Sequence, residues 1–354
     1  MYRESEKRLI AVFFGGNSSE YEVSLESAFA VIKAINTEKY ETVLIGIERE
    51  TGRWLWYRGA LQNIREDCWQ KDETCIPVYP SMDQRVHGLH YMKEGRLCTL
   101  ELDAAFPILH GKNGEDGTVQ GVLELMGVPV IGCGLLSSAL CMDKDLAHRV
   151  VAAAGIQTAQ AAVIQTESRE EEIRKSACRI GYPLFVKPVR AGSSFGITKV
   201  MSERELPAAV EDAFCHDSAI ILEKAVEGFE VGCAVLGTRE LITGEVDEIQ
   251  LSQGFFDYTE KYTLRTSSIH VPARITERKA SEIKDTALRI YRLLGCSGFA
   301  RVDMFLTPSG EIYFNEVNTI PGFTAHSRYP NMLKAAGMSF EEVVDRLIMG
   351  WQLR

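Results

Sequence analysis

The sequence lacks the features that mark several large classes of protein. It has no uninterrupted apolar run of the roughly 18 residues that a membrane helix needs, and its first residues are too polar and charged for a secretory signal. The formal net charge is -10 and the basic residues are dispersed, so the chain has no electrostatic footprint for nucleic acid. We therefore expect a cytoplasmic protein that binds neither membrane nor nucleic acid.

Motifs of several common chemistries are also missing. The nine cysteines include no CxxC pair, no histidine cluster stands at metal spacing, and the odd count argues against a disulfide framework, so we expect reduced, mostly structural thiols. The segment Gly15–Glu20, GGNSSE, lacks the GxGxxG spacing of a dinucleotide site, which disfavours hydride transfer.

The composition and patterning that are present indicate a globular α/β protein. The 354 residues are 45% hydrophobic and 25% charged, which favours two or three packed domains. In the first half, apolar runs alternate with helical patterns, which predicts a parallel sheet flanked by helices, whereas the second half is of the α+β type. Residues 251–271 have no helical period and predict a long functional loop. Strands are predicted at Leu9–Phe14, Thr42–Ile47 and Ala104–Leu109, and a helix at Ser138–Ala154.

A predicted hairpin near the end of the chain carries a cluster of polar residues. Its strands, Phe299–Leu306 and Glu311–Asn318, are joined by a tight turn that contains a proline. In the simplest register Asp303 faces Phe314, and because side chains alternate along a strand, four polar residues then share one face. A bulge at Gly310 would shift this register by one residue and break the argument. The four residues are Arg301, Asp303, Glu316 and Asn318.

The chemistry of that face suits a metal and phosphate site. Oxygen ligands from Asp, Glu and Asn fit Mg²⁺, which binds through one or two carboxylates together with substrate phosphates. An arginine beside the metal would stabilise negative charge that develops on a phosphoryl or acyl oxygen. The alternative is a surface hairpin with solvated charges, which the flanking apolar residues disfavour.

Three further segments are weaker candidates. Lys187 lies on a predicted strand that runs into the glycine and serine loop Arg190–Gly196, a candidate phosphate loop without the GxxxxGK[ST] pattern, or an ordinary turn. The segment His110–Gly117 follows a predicted parallel strand, where open α/β sheets place ligands. Glu223 with Lys224, and Glu230, suit a base and a ribose but equally suit solvated charges.

Six motifs follow one another along the chain. They are GGNSSEYEVS at Gly15–Ser24, LHGKNGEDGTVQG at Leu109–Gly121, KPVRAGSSFG at Lys187–Gly196, EKY at Glu260–Tyr262, ARVDMF at Ala300–Phe305 and NEVNTIPGFT at Asn315–Thr324. Together they resemble the D-alanine:D-alanine ligase family of the ATP-grasp fold. The resemblance covers nearly the whole chain and implies three domains: a Rossmann-like domain at 1–137, a central ATP-grasp subdomain at 138–224, and a C-terminal subdomain at 225–354 with the hairpin and the loop 251–271.

The resemblance implies a nucleotide and metal site. Asp303, Glu316 and Asn318 would hold two Mg²⁺ ions, with Mn²⁺ as a substitute, against the phosphates of ATP. The other residues implied in ATP binding are Lys144, Lys187, Ser194 and Lys261 at the phosphates, Glu223 and Lys224 at the adenine, and Glu230 at the ribose.

The resemblance also implies the catalytic residues. Glu20 would hold the ammonium of a first D-alanine and form a triad with Ser193 and Tyr262, while His110 helps to order that substrate. The carboxylate of D-alanine would become an acyl phosphate, and a second substrate would attack it. Arg301 and the backbone of Gly322 would stabilise the oxyanion, and the enzyme would be a homodimer.

Two departures from the housekeeping pattern bear on the second substrate. Phe256 stands where a tyrosine is usual, and Arg328, beside Ser327, stands where leucine or methionine is usual. These changes resemble the vancomycin-resistance ligases, and the retained Tyr262 favours D-serine over D-lactate. The alternative is a housekeeping enzyme in which Phe256 is a core aromatic and Arg328 a surface charge.

Two other classes of protein remain as alternatives. Further ATP-grasp enzymes would share the metal hairpin but should lack the first two motifs. A non-catalytic nucleotide-binding regulator is disfavoured because the metal residues, both lysines and Arg301 are all present.

Overall fold

The computed structural model describes residues 7–192, 195–251, 267–324 and 326–351. The described part of the chain forms three sheets with helices packed against them. No helix in these ranges is both long and apolar enough to span a membrane. The helices are Tyr21–Ala34, Gln62–Arg65, Thr118–Leu125, Leu135–Met142, Lys144–Ala153, Glu170–Ile180, Leu206–Phe214, Glu277–Leu293, Arg328–Ala335 and Phe340–Gly350.

The first sheet has seven strands in the order β6-β5-β4-β3-β2-β1-β7. The predicted parallel arrangement is confirmed for β1, β2 and β7, whereas β3 to β6 are antiparallel additions that the sequence analysis did not predict. These strands are short and half-exposed, so they carry little hydrophobic signal. The strands are β1 Arg8–Gly15, β2 Tyr40–Ile47, β3 Trp54–Tyr57, β4 Ile76–Pro80, β5 Gly88–Lys93, β6 Arg96–Glu101 and β7 Ala104–Pro107.

The second and third sheets are antiparallel, as the predicted α+β character of the second half requires. The second sheet has the order β10-β9-β11-β8, and the third has the order β15-β14-β12-β16-β17, with β13 paired to β12. The strands are β8 Ala161–Gln165, β9 Leu184–Pro188, β10 Thr198–Val200, β11 Ala219–Lys224, β12 Phe229–Leu236, β13 Ile242–Thr243, β14 Asp247–Leu251, β15 Ser267–His270, β16 Phe299–Leu306 and β17 Ile312–Asn318.

Two predicted boundaries were wrong. The predicted loop 251–271 includes the last residue of β14 and all of β15, because its ends pair with each other in the third sheet. The predicted helix Ser138–Ala154 is two helices, since Asp143 has an extended conformation and its side chain accepts a 3.0 Å hydrogen bond from the amide of Leu146. An aspartate in that position is an N-cap and starts a new helix.

The hairpin of β16 and β17 differs from the predicted register but keeps the predicted face. Gly310 in the turn has φ +86°, and the strands leave the turn one residue out of the predicted register. A second shift lies beside Asp303, which pairs with Glu316 rather than with Phe314. Because side chains alternate with a period of two, two shifts of one residue return the polar side chains to one face.

The end of the chain packs back onto its beginning. Phe323, Tyr329 and Leu347 share a hydrophobic core with Ile10 and Phe106 of the first sheet. The segment after β17 therefore lies at the carboxyl ends of β1 and β7, where the first and third sheets meet.

Candidate active site

A row of carboxylates crosses four strands of the third sheet. Gly232 of β12 pairs with Asp247 of β14 on one side and with Asp303 of β16 on the other, and Asp303 pairs with Glu316 of β17. Adjacent strands are about 4.8 Å apart, so the row places Asp247 and Asp303 on either side of Gly232, with Glu316 one strand beyond Asp303. Asp247 and Asp303 are 0% and 1% exposed, and such buried charges need compensating partners.

The polar face predicted for the hairpin is confirmed around Asp303. Arg301 donates to Asp303 from Nε at 2.8 Å and from Nη2 at 2.7 Å. The side-chain amide of Asn318 donates from Nδ2 to Asp303 at 2.9 Å and to Glu316 at 3.4 Å. Burial lowers the pKa of Arg301, but the charge of Asp303, its hydrogen bonds and the charge of Asp247 together more than offset burial, and the pKa lies above the usual value. A surface hairpin with solvated charges is therefore wrong.

Arg328 completes this group and is buried, so the interpretation of this one residue as a surface charge is wrong. Its guanidinium donates to Asp247 at 2.7 and 2.8 Å and to Glu230 at 2.7 Å, and lies 3.4 Å from Asp303. Burial lowers the pKa of Arg328, and the three carboxylates more than offset that effect. Asp247 has no counterpart in the sequence analysis, because a lone aspartate at the start of a strand carries no motif.

A cavity of about 440 Å³ lies between the second and third sheets. Its volume and its mixed lining are typical of small-molecule sites. The described residues among those predicted for phosphate, adenine and ribose meet there with Glu316, from the polar face of the hairpin. The lining includes Lys144, Lys187, Glu223, Lys224, Glu230 and Glu316.

The walls of this cavity fit a nucleotide. Lys187 is bonded to Glu223 at 2.6 Å, and its ammonium lies 5.5 Å from the centre of the Phe185 ring. Burial raises the pKa of Glu223, but the nearby positive groups, Lys187 foremost, together more than offset burial, and the pKa lies below the usual value. The second carboxylate oxygen, Oε2, is buried with no hydrogen-bond partner among the described residues. An exocyclic amine of a base could supply that missing donor.

Two other lysines of the predicted nucleotide site hold backbone carbonyls. Lys144 donates to the carbonyl of Ala191, in the candidate phosphate loop, at 2.7 Å. Lys224 donates to the carbonyls of Gly181 and Tyr182 at 3.3 and 3.1 Å.

The donor set also fits a divalent metal that shares ligands with a phosphate. No three His, Cys, Asp or Glu side chains form a metal-binding group in the ranges that the structure describes. The predicted set has only two carboxylates, Asp303 and Glu316, with the amide of Asn318. Mg²⁺ is commonly bound by one or two carboxylates, water and substrate phosphates, so this set suits a metal that arrives with a nucleotide.

The residues predicted to bind the first substrate lie where the first and third sheets meet, and this part of the molecule is called the first-substrate side. Glu20 precedes the helix Tyr21–Ala34, is 7% exposed, and faces two glycines. A Cβ at Gly111 would lie 2.5 Å, and one at Gly192 2.6 Å, from Oε2 of Glu20. The structure therefore brings the first motif, the histidine motif and the candidate phosphate loop to one carboxylate.

His110 is held as a neutral ring. Its Nδ1 donates to the carbonyl of Ile320 at 2.9 Å, and the hydroxyl of Ser27 donates to Nε2 at 3.1 Å. Burial lowers the pKa of His110 to about 4. Ser27 also accepts from the amide of Phe323 at 3.3 Å, so this network joins the first sheet to the end of the hairpin.

Glu115 is a buried residue of this region that the sequence analysis did not assign. It accepts from the amides of Gly111 at 2.9 Å and Ile320 at 3.1 Å. Burial, and then the charge of Glu20, raise the pKa of Glu115 to about 8. A space of about 30 Å³, lined partly by Glu115, Gly192 and Glu316, joins this side to the hairpin. The position of Glu115 within the HGKNGEDG motif was the sequence signal that could have identified this residue.

The remaining predicted residues divide into two groups. The hydroxyls of Ser327 and Thr324 share a 2.8 Å hydrogen bond, and Ser327 lies beside Gly322, where a Cβ would be 3.1 Å from Oγ of Ser327. Ser193, Ser194, Phe256, Lys261 and Tyr262 lie outside the described residues.

Comparison with known proteins agrees with this arrangement. The family models described as D-ala D-ala ligase N-terminus and D-ala D-ala ligase C-terminus match residues 9–133 and 150–349. The chain is 44% identical to vancomycin C-type resistance protein VanC2 of Enterococcus casseliflavus, over 96% of this chain and 97% of that one. It is 41% identical to a D-alanine–D-alanine ligase of Caldicellulosiruptor bescii, over 97% and 94%.

A solved structure extends the similarity to three dimensions. The crystal structure of the VanG D-Ala:D-Ser ligase from Enterococcus faecalis superposes with a TM-score of 0.91 at 54% identity, over 98% of this chain and 100% of that one. The three-sheet architecture is thus the ATP-grasp arrangement expected from the sequence motifs.

Proposed function

The chain belongs to the D-alanine–D-alanine ligase family, and we propose that it joins D-alanine to D-serine. Membership implies an ATP-dependent ligase that uses a divalent metal. In the proposed reaction the carboxylate of D-alanine becomes an acyl phosphate, with ATP as phosphoryl donor and two Mg²⁺ ions (or Mn²⁺) neutralising the phosphates. ADP is the other product of this step. The amine of D-serine then attacks the acyl carbon and gives up a proton, and the bond from that carbon to the phosphate oxygen breaks, so that inorganic phosphate leaves as the peptide bond forms.

The residues around the cavity divide the work of nucleotide binding. Lys144 and Lys187 present ammonium groups at its phosphate side, and Glu223 presents a buried acceptor for the base. Glu230 takes the ribose, while Asp303, Glu316 and Asn318 take the metals. Ser194 and Lys261, outside the described residues, are proposed to add phosphate contacts.

The first substrate is bound on the other side of the hairpin. The buried carboxylate of Glu20 is a suitable partner for an ammonium, and in this proposal Ser193 and Tyr262 orient it. His110, neutral and fixed by two hydrogen bonds, orders the substrate without adding charge. Arg301 and the amide of Gly322 stabilise the oxyanion, where one donor is worth about 10²–10³ in kcat.

The choice of D-serine rests on Arg328. Its burial on Asp247, in contact with Glu230, supports a role in the site that an exposed arginine would not have. The hydroxymethyl group of D-serine needs space and a polar partner that the methyl group of D-alanine does not need. Phe256 and Ser327 complete the proposed second subsite, and the VanG D-Ala:D-Ser ligase is a structural neighbour with the same overall fold.

The product would be an altered peptidoglycan precursor terminus of the kind that confers vancomycin resistance. We also propose a cytoplasmic homodimer. Size-exclusion chromatography with light scattering tests the assembly independently of the reaction.

A product assay tests the proposed reaction. The enzyme is supplied with ATP, Mg²⁺ and D-alanine alone, with equal D-serine, or with equal D-lactate, near neutral pH, and the products are identified by mass. We expect D-alanyl-D-serine to dominate when D-serine is present. Reactions without ATP, and with Asp303→Asn, control for contaminating ligases.

The other outcomes are informative. If the D-alanine dimer dominates at equal D-serine, the enzyme is a housekeeping D-alanine:D-alanine ligase. If the main product contains D-lactate, it is a D-alanine:D-lactate ligase. Absence of phosphate release with D-alanine, despite nucleotide binding, would support a non-catalytic regulator.

A further inference from the structure

Arg328, which we proposed for the second subsite, contacts residues proposed for the nucleotide and the metals. It is the first residue of the helix Arg328–Ala335, and its guanidinium lies over the carboxylate row. Nε and Nη2 hold Asp247, Nη1 holds Glu230, and Nη2 approaches Asp303. One side chain therefore touches both the residue proposed for the ribose and a residue proposed for the metals.

Gly232 makes this position possible. A Cβ at residue 232 would lie 2.6 Å from Nη2 of Arg328, 2.7 Å from Oδ1 of Asp247 and 2.9 Å from Oδ1 of Asp303. Real Cβ atoms do not approach other atoms so closely, so a side chain at 232 would displace the guanidinium or the carboxylates. Because Gly232 has no side chain, the guanidinium of Arg328 can occupy the space above the centre of the row.

The charges explain why the group needs this cation. Asp247, Glu230, Asp303 and Glu316 bring four carboxylates to one face of the sheet, and Arg301 is bonded to Asp303. Without Arg328, Asp247 and Glu230 would lose their guanidinium contacts and Asp303 would lose a nearby cation. Buried carboxylates with like-charged neighbours move apart or take up protons.

We propose that Arg328 is a positioning residue for the nucleotide and metal end of the site, fixing Glu230 and Asp303 in one arrangement before ATP and Mg²⁺ bind. This inference rests on the ATP-binding part of the proposed function. Preorganised side chains bind more tightly because less freedom is lost on binding. The residue that distinguishes the second subsite thus also sets nucleotide affinity.

Two variants separate this role from a loss of charge or of fold. Gly232→Ala keeps every charged group but disrupts the contacts between the guanidinium and the carboxylates, since the added Cβ displaces one or the other. The double variant Arg328→Met with Asp247→Asn removes the buried ion pair together, so no buried Asp247 charge is left alone. Matched controls are Gly350→Ala, where a Cβ meets nothing within 4 Å, and Lys284→Met with Glu245→Gln, which removes a 2.9 Å ion pair outside the site.

The measurement is calorimetric binding of ADP with Mg²⁺ in the absence of any amino acid, on variants shown by thermal unfolding to be folded. We expect both site variants to bind roughly tenfold more weakly, within the range of couplings between neighbouring sites, while both controls bind as the unaltered enzyme does. In turnover assays, KM for ATP should rise while KM for the first D-alanine stays unchanged. A purely structural defect would not raise KM for ATP while leaving KM for the first D-alanine unchanged.

Affinity for ADP with Mg²⁺ within twofold of the unaltered enzyme in either folded site variant would overturn the proposal. If both site variants fail to fold, the same binding measurement and the same twofold criterion are applied to Arg328→Lys. The lysine ammonium keeps the charge but lacks the planar guanidinium that spans three carboxylates. Because the binding assay contains no amino acid, its result is independent of whether D-serine is the second substrate.

Discussion

The first-substrate side and the carboxylate row are held by different interactions. Around His110, the contacts are hydrogen bonds of a neutral ring and of backbone amides, with Ser27 and Glu115 as the anchoring side chains. In the row, Asp303 and Asp247 are held by two guanidinium groups at 2.7 to 2.8 Å.

The difference determines what each side responds to. Neutral and backbone hydrogen bonds fix direction but leave buried titratable groups with shifted pKa values, so the first side should respond to pH. The row consists of charges that compensate one another, so it should respond to the loss of any one charge.

The largest expected effect is in the row. Arg301→Ala should lower kcat by about 10²–10³-fold, because a donor to the developing oxyanion is lost. Binding of ADP with Mg²⁺ should change far less, and calorimetry beside a phosphate-release assay measures both. Arg346→Ala, in an exposed pair with Glu342, is the matched control. Full turnover by Arg301→Ala would remove the oxyanion assignment.

Glu115→Gln tests the pH response of the first side. The pKa of Glu115 is raised from 4.5 to about 8, so between these values the folded protein binds a proton that the unfolded chain releases. The stability that this raised pKa contributes to the folded protein is complete below pH 4.5. It is lost as pH rises towards 8, by at most about 1.4 kcal/mol per pH unit. Urea unfolding from about pH 5 to pH 8 should show a flatter loss for Glu115→Gln; an unchanged slope would contradict the buried, protonated state.

His110→Gln should give a smaller effect of opposite sign. The pKa of His110 is lowered from 6.5 to about 4, so between these values the unfolded chain binds more protons than the folded protein. The unaltered protein should therefore lose stability as pH falls through that window, again by at most about 1.4 kcal/mol per pH unit. Unfolding curves of the glutamine variant should lack this component, and a parallel loss in both proteins would refute a neutral, buried His110.

Ser27→Ala is expected to give the smallest change. It leaves Nε2 of His110 without a donor and the amide of Phe323 without an acceptor, at a cost of about 1–3 kcal/mol for buried groups. Thermal unfolding measures the loss, with the exposed Ser309→Ala as control. A stability equal to that of the control would mean that the hydroxyl does not hold the two sheets together.

The local parts of the site were predictable from sequence. The polar face of the hairpin follows from ligand types set between apolar residues, and this face persists although its register was predicted wrongly. The register depended on two one-residue shifts, and the one beside Asp303 is set by strand pairing, which leaves no local signal. The short antiparallel strands of the first sheet were missed for a related reason, since their pattern is weak.

What the sequence by itself determined is therefore the chemistry of each segment: strands with buried alternation, a glycine-rich loop, and an acid, amide and arginine face suited to metal and phosphate. Only the tertiary structure decided that Asp247, Gly232, Asp303 and Glu316 form one row and that Arg328 fills the gap over the glycine. Alternation along a strand is a local property of the backbone. The row, in contrast, depends on pairing between strands and on a helix later in the chain, which bring together residues as far apart as Glu230 and Arg328, 98 positions in sequence. Such contacts depend on how the whole core packs.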